Sequence, residues 1–269
     1  VHGPAGSKLR GMTVVVGDAN GAAYTTAPAV LAEIGAVVHG IGFEPNGLNI
    51  NRDCGSTHLE ALKNAVLGQK ADLGIALDGD ADRCLMVTGE GREVDGDEIL
   101  YVIARHRKQS GSLRGPVVGT QMSNLGLEQS LKKLGLDFER AQVGDRYVLE
   151  MLKAKGGILG GETSGHTLCL DRSSTGDGTV SALQVLAALL ETNTTLTKAV
   201  RSMRKHPQVL INVRVKSAAK AILEKPAVRK AESAVTKKLS TIGRLLLRAS
   251  GTAPLIHIMV DADDASLSQ

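Results

Sequence analysis

Three tyrosines, two phenylalanines and no tryptophan are all the aromatic side chains in 269 residues. A core at 42% hydrophobic composition must therefore be built from Val, Leu, Ile and Ala. The scarcity also argues against a nucleic-acid reader that stacks bases on aromatic rings. Cysteine is sparse too: Cys54, Cys84 and Cys169 stand far apart, and no CxxC occurs. That excludes a disulfide framework or a zinc site and points to a reducing, cytoplasmic setting. The longest strongly apolar stretch, Val180 to Leu190, is too short to span a bilayer. No signal-peptide pattern opens the chain, so no membrane partner is expected. Residue 1 is Val rather than Met, which leads us to expect a processed or partial chain. Charge of one sign is not in large excess. The balance of 32 basic and 28 acidic residues, net +4, suits an anionic small substrate and ordinary solubility equally.

What is present is a strict alternation. MTVVVG reads as a buried strand, AAYTTAPAVLAEIG as a helix and AVVHGIG as the next strand. Thr57 and Glu60 have the spacing of a capping box before a helix carrying Leu59, Leu62 and Val66 on one face. ADLGIAL is a further strand, and CLMVTGEGREV a hairpin turning at Gly89 to Gly91. A helix over about 97–107 and a GSLRGP break follow. The alternation then restarts: VVGTQM, a helix over about 124–134, FERAQV, a helix over about 145–155, and ILGG. From His206 the pattern becomes a half-exposed strand, a charged helix over about 226–239 and two more strands. The expected fold is α/β: two consecutive αβ domains with mixed, mainly parallel sheets, then a smaller α+β domain. The expected boundaries are 8–108, 109–204 and 205–269.

LDGDADRCLM poses the functional question. Asp78, Asp80 and Asp82 stand at alternate positions directly after a buried strand, with Arg83 next. Ligands of open αβ sheets sit beyond the carboxyl ends of strands. Three carboxylates converging there suit a hard cation, Mg²⁺ or Ca²⁺. An EF-hand is excluded, because its sixth position holds Arg83 instead of Gly and its twelfth Gly89 instead of Glu. A dehalogenase-class phosphatase also uses DxD, with Asp78 as nucleophile and Asp80 as acid. Other stretches carry chemistry as well. GGETSGH is a glycine-rich turn offering Glu162, Ser164 and His166, and RASGTAP offers Arg248, Ser250, Gly251 and Thr252 to an anion. Asp145 in VGDRY is read as a helix cap and a substrate contact with equal weight, and Asp177 in STGDG as a cap.

DGDADR, EPNGLNIN, VGDRYVLE, GGETSGH, STGDG and RASGTAP, in this order, resemble the α-D-phosphohexomutases, in particular the bacterial phosphoglucosamine mutase branch. The resemblance runs from about Lys8 to Asp264. It implies interconversion of glucosamine 6-phosphate and glucosamine 1-phosphate through glucosamine 1,6-bisphosphate, with Mg²⁺ as cofactor. It implies Asp78, Asp80 and Asp82 as metal ligands and Arg83 as a catalytic stabiliser of phosphate oxygens. Asp145, Arg146, Glu162, Ser164 and His166 would contact substrate. Arg248, Ser250, Gly251 and Thr252 would hold the phosphate that is not reacting. The branch has Glu where Ala253 stands and Arg where His257 stands, so a weaker phosphate grip is expected, partly restored by a protonated His257.

A stretch resembling SASHNP, which carries the family's reactive serine, does not occur in these 269 residues. The resemblance therefore covers the family's second, third and most of its fourth domain. A chain of this kind is expected to be inactive alone. It is also expected to self-associate or dock through an apolar face that a first domain would cover. The alternative expectation is a non-catalytic sugar-phosphate binder.

Overall fold

The computed structural model describes residues 9–216, 218–240, 242–250 and 254–262. In chain order the elements are β1 (Thr13–Gly17), α1 (Thr26–Glu33), β2 (Val37–Ile41), α2 (Glu60–Gln69), β3 (Leu73–Leu77), β4 (Cys84–Thr88) and β5 (Glu93–Val94). Then come α3 (Gly96–Gln109), β6 (Val117–Thr120), α4 (Leu125–Lys133), β7 (Phe138–Ala141), α5 (Asp145–Lys155), β8 (Leu159–Gly161) and β9 (Thr167–Cys169). The chain continues through α6 (Gly178–Glu191), α7 (Leu196–Arg201), β10 (Gln208–Arg214), α8 (Ala219–Leu223), α9 (Pro226–Leu239), β11 (Gly243–Ala249) and β12 (Leu255–Ala262). The chain divides into two units. Residues up to Ser123 with Ser130–Met203 form one, and Asn124–Gln129 with the residues from Arg204 onward form the other.

The first unit contains one arrangement twice. Its sheets have the orders β2-β1-β3-β4-β5 and β7-β6-β8-β9. In each, the first strand lies parallel between the second and third, and the fourth turns back antiparallel to the third. Antiparallel strands are therefore more prominent than the βα alternation suggests. Loop length explains this: only residues 78–83 join β3 to β4 and only 162–166 join β8 to β9. A parallel return needs a crossover of about a dozen residues or more. β10, β12 and β11 form the antiparallel sheet of the second unit.

Each αβ sheet is covered by its own helix. α2 buries Leu62 and Val66 against Val15, Ala76 and Val87. α5 buries Val148 and Leu152 against Val118, Ala141 and Leu168. α3 and α6 pack on each other and serve both sheets, α3 touching β4 and β8, and α6 touching β4 and β9. Hence α3 is buried along Ile99, Leu100, Tyr101, Val102, Ile103 and Ala104 without a free face. The apolar run Val180 to Leu190 is accounted for in the same way, as the buried body of α6.

The expected capping box at Thr57 and Glu60 does not form. α2 begins after Leu59 with no side-chain cap; Thr57 bonds to His58 and Glu60 to Lys63. A capping box exists instead at α3, where Asp95 accepts from Glu98 N–H and Glu98 reaches back to Asp95 N–H. Both segments fit the sequence signature, but only the second has its carboxylates pinned: Glu98 is fully buried and paired with Arg92. We predict that Asp95→Ala costs at least about 1 kcal/mol in urea denaturation, while Thr57→Ala changes stability by under about 0.5 kcal/mol.

Candidate functional site

The site is built at the carboxyl ends of the parallel strands. β3 runs fully buried to Leu77 and delivers Asp78 into the turn. The turn closes through Ala81 N–H to the Asp78 carbonyl, with Ala81 at φ +60°. This curl brings one oxygen each of Asp78, Asp80 and Asp82 within 4.8 Å of one another. Asp78 is buried, Asp82 half-buried and Asp80 exposed. Asp78 also accepts from Arg83 N–H at 3.1 Å, and the Arg83 guanidinium lies 3.7 Å from Asp78 and 3.9 Å from Asp82. Burial raises the Asp78 carboxyl above its ordinary range; the Arg83 amide opposes this, and Asp82 and Asp80 add to it. The carboxylates are thus held together against their own repulsion, a donor set that fits a small divalent cation of the Mg²⁺ type.

Loops from β1 and β2 support this turn. Ala22 N–H donates to the Gly79 carbonyl, and Asn51 N–H to the Ala19 carbonyl. EPNGLNIN thereby gains a structural role. Ile50 and Asn51 pack so closely on Gly79 that a Cβ there would overlap them.

The second sheet contributes its own carboxyl ends. The Glu162 carboxylate accepts from Gly144 N–H at 3.0 Å, joining the turn after β8 to the one before α5. His166 is buried, pairs with Arg83 as an antiparallel bridge and places Nε2 3.5 Å from an Asp82 oxygen. Cys84 N–H donates to the Gly165 carbonyl. Asp78, Asp80, Asp82, Arg83, Glu162 and His166 thus belong to one connected set of loops, with Ser164 exposed among them. Asp145 and Arg146 are exposed. The cap reading of Asp145 is corrected: it is the first helical residue, Gly144 holds the cap position and no side-chain cap bond forms. Arg146 pairs with Glu150 on its own helix. Asp177 does cap α6, accepting from Val180 N–H.

The second unit carries Arg248 and Ser250; Gly251, Thr252 and Ala253 lie outside the described residues. Arg248 stands opposite His257, and His257 opposite Asn212, in one row across β11, β12 and β10. Arg248 Nε is buried without a hydrogen-bond partner among the described residues. His257 Nδ1 meets Asn212 Oδ1 at 2.6 Å. Burial, and then the Arg248 charge, lower the His257 pKa. A protonated His257, expected to substitute in part for the branch's arginine, would therefore require a lower pH than an ordinary histidine.

Family models of phosphoglucomutase/phosphomannomutase domain II, domain III and the C-terminal domain match residues 5–91, 95–206 and 210–269. The chain belongs to the phosphoglucomutase/phosphomannomutase family. It is 54% identical over 262 residues to phosphoglucosamine mutase 2 of Shewanella sp. MR-7, covering 97% of this chain and 58% of that protein. It is 53% identical over 256 residues to phosphoglucosamine mutase of Salmonella paratyphi C, covering 95% and 58%. It therefore spans 58% of the length of these curated relatives. A family protein of Burkholderia thailandensis shares the fold at TM-score 0.79 and 20% identity, over 96% of this chain and 57% of that one. The N-acetylphosphoglucosamine mutase of Aspergillus fumigatus, solved with GlcNAc-6P and magnesium, does so at 0.77 and 20%, over 97% and 61%. The aspartate turn lies within the residues that the domain II model matches. No helix among the described residues is long and apolar enough to cross a membrane.

Within this family framework the structure adds residues that the motifs did not single out. Asp97 accepts from the Thr163 hydroxyl at 3.0 Å, and Gly96 N–H donates to the Thr163 carbonyl, so the start of α3 props the 162–166 turn. Gly96 is obligatory for this: a methyl there would fall on the Glu162 carbonyl and the Gly165 backbone. Asp18, after β1, is fully buried, and neither carboxylate oxygen has a hydrogen-bond partner among the described residues. In DANG it reads as an ordinary turn residue; only burial reveals it. That burial raises its pKa to about 7. The unfolded chain releases this proton near pH 4 and the folded chain near 7, so the contribution of Asp18 to stability falls as pH rises between those values. We predict that the stability of Asp18→Asn relative to wild type rises from pH 4 to 7 by a few kcal/mol and then levels off. Urea denaturation across that range checks this; a flat difference would contradict it.

Proposed function

We propose that these 269 residues supply the metal, sugar and phosphate loops of a phosphoglucosamine mutase, acting in the cytoplasm on glucosamine 6-phosphate and glucosamine 1-phosphate by way of the 1,6-bisphosphate. The observation that carries this reading is the Asp78–Asp80–Asp82 cluster joined to the Glu162–His166 turn through the Arg83–His166 bridge. Identity above one half to phosphoglucosamine mutases supports the choice of sugar. When bound at Asp78, Asp80 and Asp82, Mg²⁺ supplies charge neutralisation at the transferring phosphoryl group. Arg83, beside those carboxylates, grips phosphoryl oxygens with its planar fork. Glu162 and Ser164 orient sugar hydroxyls, and His166 holds a proton or a phosphate oxygen at Nε2. Asp145 and Arg146 are solvent-facing and offer substrate contacts at the mouth. Arg248, Ser250, Gly251 and Thr252 hold the phosphate that is not reacting; the unpartnered Arg248 Nε supports this. On this reading 8–108, 109–204 and 205–269 are the family's second, third and fourth domains. The phosphorylated serine comes from a segment outside the present sequence, so the chain alone is inactive.

A second reading, a sugar-phosphate binder without turnover, is favoured by His257, whose surroundings disfavour a positive charge. One assay separates the two. The chain is mixed with glucosamine 6-phosphate, Mg²⁺, catalytic bisphosphate and a separately expressed serine-bearing domain of a relative. Turnover only in the mixture is expected; turnover by the chain alone overturns the inference that a serine from another segment is required, and none in either case overturns the mutase reading in favour of the binder. Asp80 is exposed and makes no hydrogen bond or ion pair among the described residues, and its charge repels those of Asp78 and Asp82, so Asp80→Asn should not lower unliganded stability. It should weaken Mg²⁺ binding, followed by calorimetry, at least about tenfold and abolish turnover in the mixture.

We propose further that the chain self-associates through the exposed apolar residues of the loop after β2. Leu48 is 81% and Ile50 54% exposed beside the metal turn. Sedimentation at rising concentration should show self-association that Leu48→Ser weakens; a monomer throughout would refute it.

A further inference from the structure

A half-open cavity of about 450 Å³ lies between the C-terminal halves of α3 and α6, with α7 along one side. Its volume is in the range of small-molecule sites. The lining has an unusual charge balance. Arg105, His106 and Lys198 line it, and no acidic residue does. Thr192, Thr194 and Ser202 add hydroxyls around an apolar floor from Val102 and Leu189. Arg105 is held in place by a neutral group: its Nη1 donates to Ser202 Oγ at 2.7 Å, and Ser202 in turn bonds to the Ala199 carbonyl. Among the described residues no carboxylate pairs with Arg105 or Lys198. His106 alone has one, Glu191 at 2.8 Å, which is not part of the lining.

Cations near a helix C-terminus are ordinarily explained by the helix dipole. That account suffices for Lys108 in the last turn of α3. Lys198, exposed in the last turn of the short helix α7, is accounted for in the same way. Arg105 is not: it stands a full turn before the end of α3, half-buried in the lining and bonded to a hydroxyl rather than to a carboxylate.

We propose that this cavity is a second binding site for a small organic phosphate, separate from the metal loop. Arg105 and Lys198 hold the phosphate, and the hydroxyl-lined apolar floor holds a compact polar body. A phosphosugar and a nucleoside monophosphate share this chemistry. The place in the fold sets the site apart from the catalytic loops. α3 begins at Gly96 against Thr163, and α6 begins at Gly178, whose N–H donates to the Ala81 carbonyl. At 1.5 Å per residue Arg105 lies about 14 Å along α3, and Leu189 about 16 Å along α6, from those loops.

Calorimetric titrations with inorganic phosphate, glucose 6-phosphate and adenosine monophosphate, without divalent metal, test this. At least one ester should bind more tightly than inorganic phosphate, and the stronger of the two identifies the body. The double variant Arg105→Gln, Lys198→Gln should lose at least about tenfold in affinity, with the loss absent in Arg83→Ala and Arg248→Ala. Glu191→Gln removes the neighbouring negative charge and should strengthen binding, a gain that a folding defect cannot mimic. Unchanged affinity in the double variant, or loss confined to Arg83→Ala or Arg248→Ala, would overturn the proposal. So would the absence of saturable binding in a folded wild-type chain.

Discussion

Cys84 N–H meets the Gly165 carbonyl at 3.1 Å, and beside it Arg83 pairs with His166 across two different sheets. The site geometry depends on this short stretch of backbone pairing. Asp78, Asp80 and Asp82 come from the first sheet, while Glu162, Ser164 and His166 come from the second. Their side chains alone do not fix how the two sets lie to each other: the nearest contact, His166 to Asp82, is 3.5 Å long. Main-chain pairing fixes what side chains leave loose. It also keeps the guanidinium of Arg83 over Asp78 and Asp82. Two full charges at such separations repel by a few kcal/mol at an effective dielectric of about 20. The turn persists because Arg83 offsets part of that repulsion and because the Asp78 carboxylate accepts from Arg83 N–H.

The duplicated topology explains why these loops can meet. Each sheet sends its first three strands parallel, so three loops leave from one end. In the first sheet the loops after β1 and β2 brace the aspartate turn. In the second, the loops after β7 and β8 brace one another through Gly144 and Glu162. α3 and α6 lie between the sheets and start within this cluster, Gly96 at Thr163 and Gly178 at Ala81. A core poor in aromatic rings suits this arrangement, since Gly96 and Gly79 lie against neighbours with no room for one methyl.

Much of this was legible from residues with unambiguous punctuation. α5 runs from Asp145 to Lys155 between two glycines, and α9 starts at a proline, as their sequences indicate. The aspartate turn was legible because alternating like charges after a buried strand have few structural explanations. Other features depend on packing that no local pattern encodes. Thr57 and Asp95 carry the same capping signature, and only the buried Glu98–Arg92 pair decides between them. Asp18 looks like a turn residue until β2 and the 44–51 loop close over it. β9 is only three residues long and has little periodicity to read. His257 looked like a partial substitute for arginine, but its row with Arg248 makes charge there unfavourable.

This last point bears on how the chemistry is divided along the chain. Within the first unit, positive charge near the aspartates comes from Arg83, whose position is set by its own backbone pairing. In the second unit Arg248 stands opposite His257, and a second positive charge in that row is disfavoured. Its buried Nε has no protein acceptor among the described residues. A buried donor without a partner is costly unless something from outside supplies the acceptor. A phosphate oxygen supplies one, and it would satisfy the nitrogen and balance the charge in a single contact. On the proposed reading, the histidine opposite Arg248 thus leaves the arginine more dependent on an anion, not less suited to one.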